Sequence, residues 1–216
     1  YCDQISIEKL KHFVSKDAFN IDGLGKKIIE GFWKLKLIKF PHDIFKLDYQ
    51  KIEKLDGWGK LSVENLKYSI NQKKIISLER FIFSLGIRHI GLENAKLLSK
   101  YFVSFLKFKE LSKSKNYDEL LNIDGIGDTQ VNSIKNFLSN SMNLKILDEL
   151  NKLLNIQNVK SEKKNGLLKD KTFLVTGKLV GISRAEVKSL IEENSGITVS
   201  TVSNKLNYLI AGEKPT

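Results

Sequence analysis

The sequence predicts a mainly α fold, built of tandem helix–turn–helix units followed by a truncated α/β module. Four glycine-containing turns recur at a nearly constant interval, each followed by apolar residues at helical spacing, and past residue 169 the pattern shifts to short β-branched runs broken by glycine.

The four turns are Ile21-Asp22-Gly23-Leu24-Gly25, Leu55-Asp56-Gly57-Trp58-Gly59, Ile87-Arg88-His89-Ile90-Gly91 and Ile123-Asp124-Gly125-Ile126-Gly127. Their final glycines lie 34, 32 and 36 residues apart. Four residues beyond each stands Ile29, Val63, Ala95 or Val131, and each begins an apolar stripe. The stripes are Ile28, Ile29, Phe32 and Trp33; Val63, Leu66 and Ile70; Ala95, Leu98 and Phe102; and Val131, Ile134 and Leu138. Helical patterns also lead into the turns, as in Leu10 to Val14, Ile76 to Phe83 and Tyr117 to Leu121. The unit is therefore helix, tight turn, helix. Glycines on either side of one apolar residue give the turn the backbone freedom it needs. The middle residues Leu24, Trp58, Ile90 and Ile126 are expected to fill the space between the paired helices.

The start of a second helix carries unpaired N–H groups and the positive end of the helix dipole, which together suit a phosphate. The residues expected to meet a phosphate backbone are Gly23, Gly25, Lys26 and Lys27; Gly57, Gly59 and Lys60; Arg88 and Gly91; and Gly125 and Gly127. Arg88 has an alternative role as a salt-bridging residue at a domain contact. The third repeat has His89 where the others have glycine, and is expected to bind phosphate less well or to serve in packing. Phosphate contact of this kind is independent of base sequence.

Charge fits such a partner. The net charge is +11 and the sequence pI about 9.5. Residues 1–165 hold 29 Lys+Arg against 20 Asp+Glu, and residues 166–216 hold 7 against 5, so the basic excess lies with the repeats. The single cysteine, Cys2, rules out an internal disulfide. No apolar run approaches the roughly 18 residues of a membrane span. No secretory signal is visible, and the expectation is a cytoplasmic protein with no membrane partner.

Several motifs dissolve on inspection. Lys54-Leu55-Asp56-Gly57 matches the K-x-D-G pattern of nucleotidyltransferases, but Asn20 and Asn122 stand at the equivalent places, so Lys54 is not part of the repeat. The shared acid is expected to cap or brace the hairpin. Gly23-Leu24-Gly25 lacks the third glycine of a dinucleotide fingerprint, since residue 28 is Ile28. His12, His42 and His89 are scattered, and no set of residues reads as a catalytic site.

Past the repeats, residues 156–168 are expected to form a linker, whose polar stretch runs Lys160 to Gly166. Thr172 to Val175 reads as a strand ending in Thr176-Gly177. Ser183-Arg184-Ala185-Glu186 reads as a capping box opening a helix with Val187, Leu190 and Ile191, ended by Gly196. Ile197 to Val199 and Tyr208 to Ala211 complete a βαββ order.

The repeated turn, followed four residues on by a small or β-branched side chain, resembles the helix-hairpin-helix motif. The terminal βαββ order, with its Thr176 to Leu179 turn, resembles the first half of a BRCT domain. Further stretches are similar to NAD-dependent DNA ligases of bacteria. These are Cys2, Gln4, Glu8 and Leu10 to Phe13 leading into the first hairpin; Phe81 to Gly91; and Leu120 to Ile126. Cys2-Asp3-Gln4-Ile5 departs from the family's Cys-Pro-Ala-Gln.

The resemblance implies a chain organised as a zinc-segment remnant (1–15), a helix-hairpin-helix domain (16–155), the linker, and an incomplete BRCT module (169–216). Starting at Tyr1 and stopping within that module, it is expected to be part of a longer protein. It implies that Cys2 is the fourth ligand of a structural zinc whose other three cysteines lie upstream. It also implies a parent enzyme that uses NAD and Mg2+ to seal nicks in DNA replication and repair. This chain would hold no cofactor or catalytic residue and would grip double-stranded or nicked DNA from the minor-groove side. Its other expected partners are the upstream domains of the same chain, in a monomer. Thr176 and Gly177 form a phosphate-binding turn in some BRCT domains, with a plain structural turn the favoured alternative. A non-enzymatic repair scaffold, binding DNA through the hairpins and protein through the BRCT module, is the rival function.

Overall fold

The computed structural model describes residues 3–159, 166–177, 179–182, 184–199, 201–202 and 206–213, with backbone alone for residues 184–186 and 189. Cys2, the linker stretch 160–165 and Ser183 of the expected capping box lie outside the described residues, as does the side chain of Glu186. The chain divides into two compact units, Tyr1–Val159 and Lys160–Thr216.

The first unit is helical. Its elements are α1 (Asp3–Val14), α2 (Lys26–Lys34), a 3-10 helix Pro41–Lys46, α3 (Tyr49–Glu53), α4 (Lys60–Gln72), β1 (Ile75–Ser77), α5 (Leu78–Ser84), α6 (Leu92–Phe102) and α7 (Phe105–Ser114). A 3-10 helix Tyr117–Asn122, α8 (Asp128–Leu138), α9 (Ser141–Leu153) and β2 (Asn155–Gln157) complete it. Each hairpin joins a pair: α1 to α2, α3 to α4, α5 to α6, and Tyr117–Asn122 to α8.

One continuous core runs through all four pairs, because each stripe turns inward. Ile29 and Phe32, then Val63, Leu66 and Ile70, then Ala95, Leu98 and Phe102, then Val131, Ile134 and Leu138 are all buried. At about 25 cal/mol per Å2 of apolar surface removed from water, these side chains supply most of the drive for folding.

Two expectations change at the joins. Ile76 belongs to a strand rather than to the helix before the third hairpin. Ser77 caps α5, its Oγ accepting from Arg80 N–H at 3.4 Å, so the helix starts after it. Upstream of that cap, Ile75, Ile76 and Ser77 pair in parallel with Asn155, Ile156 and Gln157. Residues 156–159, expected in the linker, therefore belong to the first unit; Val159 N–H also donates to Val103 O at 2.8 Å.

The second unit has β3 (Thr172–Thr176), α10 (Arg184–Glu193), β4 (Ile197–Val199) and β5 (Tyr208–Ala211). The sheet is parallel, in the order β4-β3-β5. Its core is small: Phe173, Val175 and Ile191 are buried, with Leu168, Leu179, Val187 and Ile210 packed against them. Leu190, expected on the buried stripe of α10, is half exposed, since Ile191 takes the inward position. The fold is thus mainly α with a short α/β module at its end. No helix among the described residues is long and apolar enough to cross a membrane.

Candidate nucleic-acid interface

The four hairpins share one backbone geometry. In each, the N–H of the middle apolar residue donates to the carbonyl three residues back. The bonds are Leu24 to Ile21 (3.4 Å), Trp58 to Leu55 (3.0 Å), Ile90 to Ile87 (3.0 Å) and Ile126 to Ile123 (3.0 Å). The third residue of each turn has positive φ: Gly23 +87°, Gly57 +78°, His89 +62° and Gly125 +89°. That requirement explains three of the glycines, and His89 meets it without one. Leu24, Ile90 and Ile126 are buried as expected, and Trp58 is half-buried.

The acids of the turn do not brace it. Asp22, Asp56 and Asp124 are exposed and make no hydrogen bond or ion pair among the described residues. The backbone closes the turn by itself, which leaves their side chains in water.

The second glycine of each hairpin starts the following helix. Gly25, Gly59, Gly91 and Gly127 are N-caps in extended backbone. Their carbonyls accept the first helical bonds, from Ile29 (3.1 Å), Val63 (3.1 Å), Ala95 (2.9 Å) and Val131 (3.0 Å). The N–H groups of the next three residues have no intrahelical acceptor. A Cβ built at Gly25, Gly59 or Gly91 would meet nothing within 4 Å, so space lies open before these helix starts. At Gly127 the Gln130 side chain sits 3.5 Å from that position. Gly127 N–H donates to Gln130 Oε1 at 3.2 Å, and Gly59 N–H to Ser62 Oγ at 3.2 Å.

Charge separates the hairpins into two kinds. The first turns of α2 and α4 contain no acid, whereas α6 has Glu93 and α8 has Asp128. Lys26, Lys27 and Lys60 are exposed and make no salt bridge among the described residues, though Lys27 is near enough to Glu30 to favour its charged form. Arg88 is exposed too and makes no ion pair among the described residues. Lys54 is an exposed residue at the end of α3.

Two supporting side chains were not legible as such. Lys11 binds Glu30 at 2.6 Å and Glu8 at 2.7 Å, tying α1 to α2. The Lys11 ammonium beside Glu30 holds that carboxyl below the usual carboxylate range. Arg80 donates to Ala18 O (2.8 Å) and Lys16 O (2.7 Å), fixing the loop before the first hairpin to α5. In the sequence both look like further cations for an anionic partner.

In the second unit Gly177 is buried with φ +76°, and a Cβ there would lie 2.8 Å from the Gly212 backbone. Gly212 N–H donates to Thr176 O at 2.9 Å, so this turn is packed against the end of β5.

Comparison with known proteins agrees with this layout. A helix-hairpin-helix motif model matches residues 80–147, and a BRCA1 C-terminus (BRCT) domain model matches residues 163–216. The chain is 64% identical over 215 residues to the DNA ligase of Pelagibacter ubique (strain HTCC1062), covering 100% of this chain and 32% of that protein. The DNA ligase of Wolbachia pipientis wMel is 46% identical over 220 residues, 99% of this chain and 33% of that protein. The DNA ligase of Rickettsia bellii (strain RML369-C) is 40% identical over 224 residues, 98% of this chain and 32% of that protein. The chain spans about a third of the length of the curated relatives it matches. With relatives named DNA ligase along its whole length, and a helix-hairpin-helix match followed by a BRCT match, the chain fits the C-terminal part of a bacterial DNA ligase.

Proposed function

We propose that the chain grips duplex DNA through backbone phosphates, independent of base sequence, as part of an NAD-using ligase that seals nicks in replication and repair. The observation that carries this reading is the repeated helix start. Four helices start on N-cap glycines at a common geometry, the N–H groups of the next three residues lacking intrahelical acceptors, and at Gly25 and Gly59 lysines and open space accompany them. Hairpins 1 and 2 hold the tightest phosphates, through Gly25, Lys26 and Lys27 and through Gly59 and Lys60. Hairpins 3 and 4 contribute less, because Glu93 and Asp128 oppose an anion at their helix starts. Arg88 adds charge from the turn of hairpin 3. Gly23, Gly57 and Gly125 serve by shaping the turns.

A closed zinc site takes four ligands. The sequence has one cysteine, and no group of three His, Cys, Asp or Glu among the described residues could hold a metal. This chain alone does not fit the metal, and Cys2 is read as one ligand of a site completed elsewhere in a longer protein. NAD and Mg2+ chemistry is likewise assigned to other parts of that protein, with which this chain would work in the cytoplasm, at the nucleoid, as a monomer. Thr176 and Gly177 are read as a structural turn, supported by the close backbone of Gly212. Ligase relatives along the whole chain make the scaffold reading unfavoured. The salt dependence of duplex binding, with and without a side chain at Gly59, tests the proposal.

A further inference from the structure

We infer that Arg80 is a positioning residue of the DNA grip: it locks hairpin 1 to hairpin 3, so that the two meet one duplex as a rigid pair. The inference rests on the phosphate-grip reading and adds to it how a weak hairpin contributes. Hairpins 1 and 3 are far apart in sequence, but α1 and α5, the helices that lead into them, are fastened in both directions. From α5 the Arg80 guanidinium reaches the loop between α1 and hairpin 1. There Nε donates to Ala18 O at 2.8 Å and Nη2 to Lys16 O at 2.7 Å. From α1 His12 Nε2 donates to Phe83 O at 2.8 Å, with the two rings 4.7 Å apart between centroids. The His12 ring also lies against Gly86, where φ is +61° and a Cβ would come within 3.3 Å of it. Gly86 directly precedes Ile87, the first residue of hairpin 3, and Ala18 stands three residues before Ile21, the first of hairpin 1.

The fastening needs an arginine. Ala18 is fully buried, so its carbonyl must find a donor inside the protein. The planar guanidinium spans this carbonyl and that of Lys16 together, whereas a lysine ammonium is a single point on a flexible stem. Arg80 is half-buried and makes no ion pair among the described residues, its fork being turned onto backbone rather than outward to an anion. Hairpin 3 has Glu93 in the first turn of its helix and holds an anion weakly by itself. Held at a fixed separation from hairpin 1, its Arg88 and Gly91 meet a duplex that is already bound there, and the second contact becomes intramolecular.

The test measures affinity of the 216-residue chain for a DNA duplex over a salt series. It compares the parent, Arg80→Lys, Arg88→Ala and the double variant, with folding checked by circular dichroism. Arg80→Lys keeps the charge and loses the fork, and is expected to weaken binding about threefold to tenfold. Arg88→Ala is expected to lower the slope of log affinity against log salt by about one in the parent, and by less than about half of one beside Arg80→Lys. His12→Ala undoes the fastening from the other side, should blunt the Arg88→Ala effect in the same way, and decides the matter if Arg80→Lys does not fold. Parent affinity in Arg80→Lys, or an Arg88→Ala effect as large in that background as in the parent, overturns the inference while leaving the grip intact. Arg88→Ala without effect in the parent overturns it too, since hairpin 3 then holds no strand. If the parent shows no salt-dependent DNA binding, the grip reading itself fails, and this inference falls with it.

Discussion

His89 takes the same left-handed backbone as Gly57 one hairpin earlier, φ +62° against +78°, and closes the same turn. An L side chain in that region costs on the order of 1 kcal/mol. His89→Gly should therefore raise stability by a few tenths to about 1 kcal/mol, part of the gain being offset by the entropy of glycine in the unfolded chain. Gly57→Ala should lower it by about 1 to 2 kcal/mol. Urea unfolding followed by tryptophan emission reads both, since Trp33 and Trp58 lie in the first unit. Stability lost in His89→Gly would mean that the histidine ring does something in the fold beyond filling the turn.

The two glycines of a hairpin should separate in mutagenesis. Gly59 has extended backbone and open space, so Gly59→Val should cost only about 1 kcal/mol, from a poorer N-cap residue, while blocking close approach of a phosphate. Gly57→Val strains the fold first, so lost binding there would not isolate the phosphate site. Comparing unfolding midpoint and duplex affinity for the two variants distinguishes the roles.

Cations on hairpins 1 and 2 should each count once. Lys26→Ala and Lys60→Ala should each reduce the slope of log affinity against log salt by about one, uniformly across DNA sequences. Asp128→Ala should strengthen binding modestly by removing an acid from the start of α8. Equal slopes in all three variants would contradict the division between hairpins.

Acid lability should trace in part to Glu149. Hydrogen bonds from Lys152 (2.7 Å) and Lys46 (2.5 Å) hold its carboxyl down to about 2, from an ordinary 4.5. A depressed carboxyl stabilises the fold above its unfolded pKa and loses that contribution as pH falls through the folded value. The Tm gap between the parent and Glu149→Gln should thus be constant above about pH 5 and close between roughly pH 4.5 and 2. A gap unchanged down to pH 2 would contradict the ion pairs.

Much of this was legible in the sequence for local reasons. Gly23, Gly57 and Gly125 announce a positive φ, and stripes such as Val63, Leu66 and Ile70 announce a helix face, because both signals lie within a few residues. The short strands Ile197–Val199 and Tyr208–Ala211 were legible from their β-branched and apolar runs. Ile75–Ser77 was not, since its strand character comes from Asn155–Gln157, far along the chain. The bracing of the first hairpin by Lys11 and Arg80 was hidden for the same reason. The aspartates misled because an acid beside glycine is common in side-chain-braced turns, whereas here the backbone bond suffices.

The most direct test is binding of the chain to nicked and intact duplex across a salt series, for the parent and Gly59→Val. Between roughly 50 and 200 mM salt, affinity should fall about tenfold if two phosphates are held and about a hundredfold if four are. Gly59→Val should bind more weakly at every salt concentration while staying folded, its unfolding midpoint lowered less than that of Gly57→Val. No binding at low salt, or a Gly59→Val variant that binds as the parent does, would contradict phosphate capture by the hairpins.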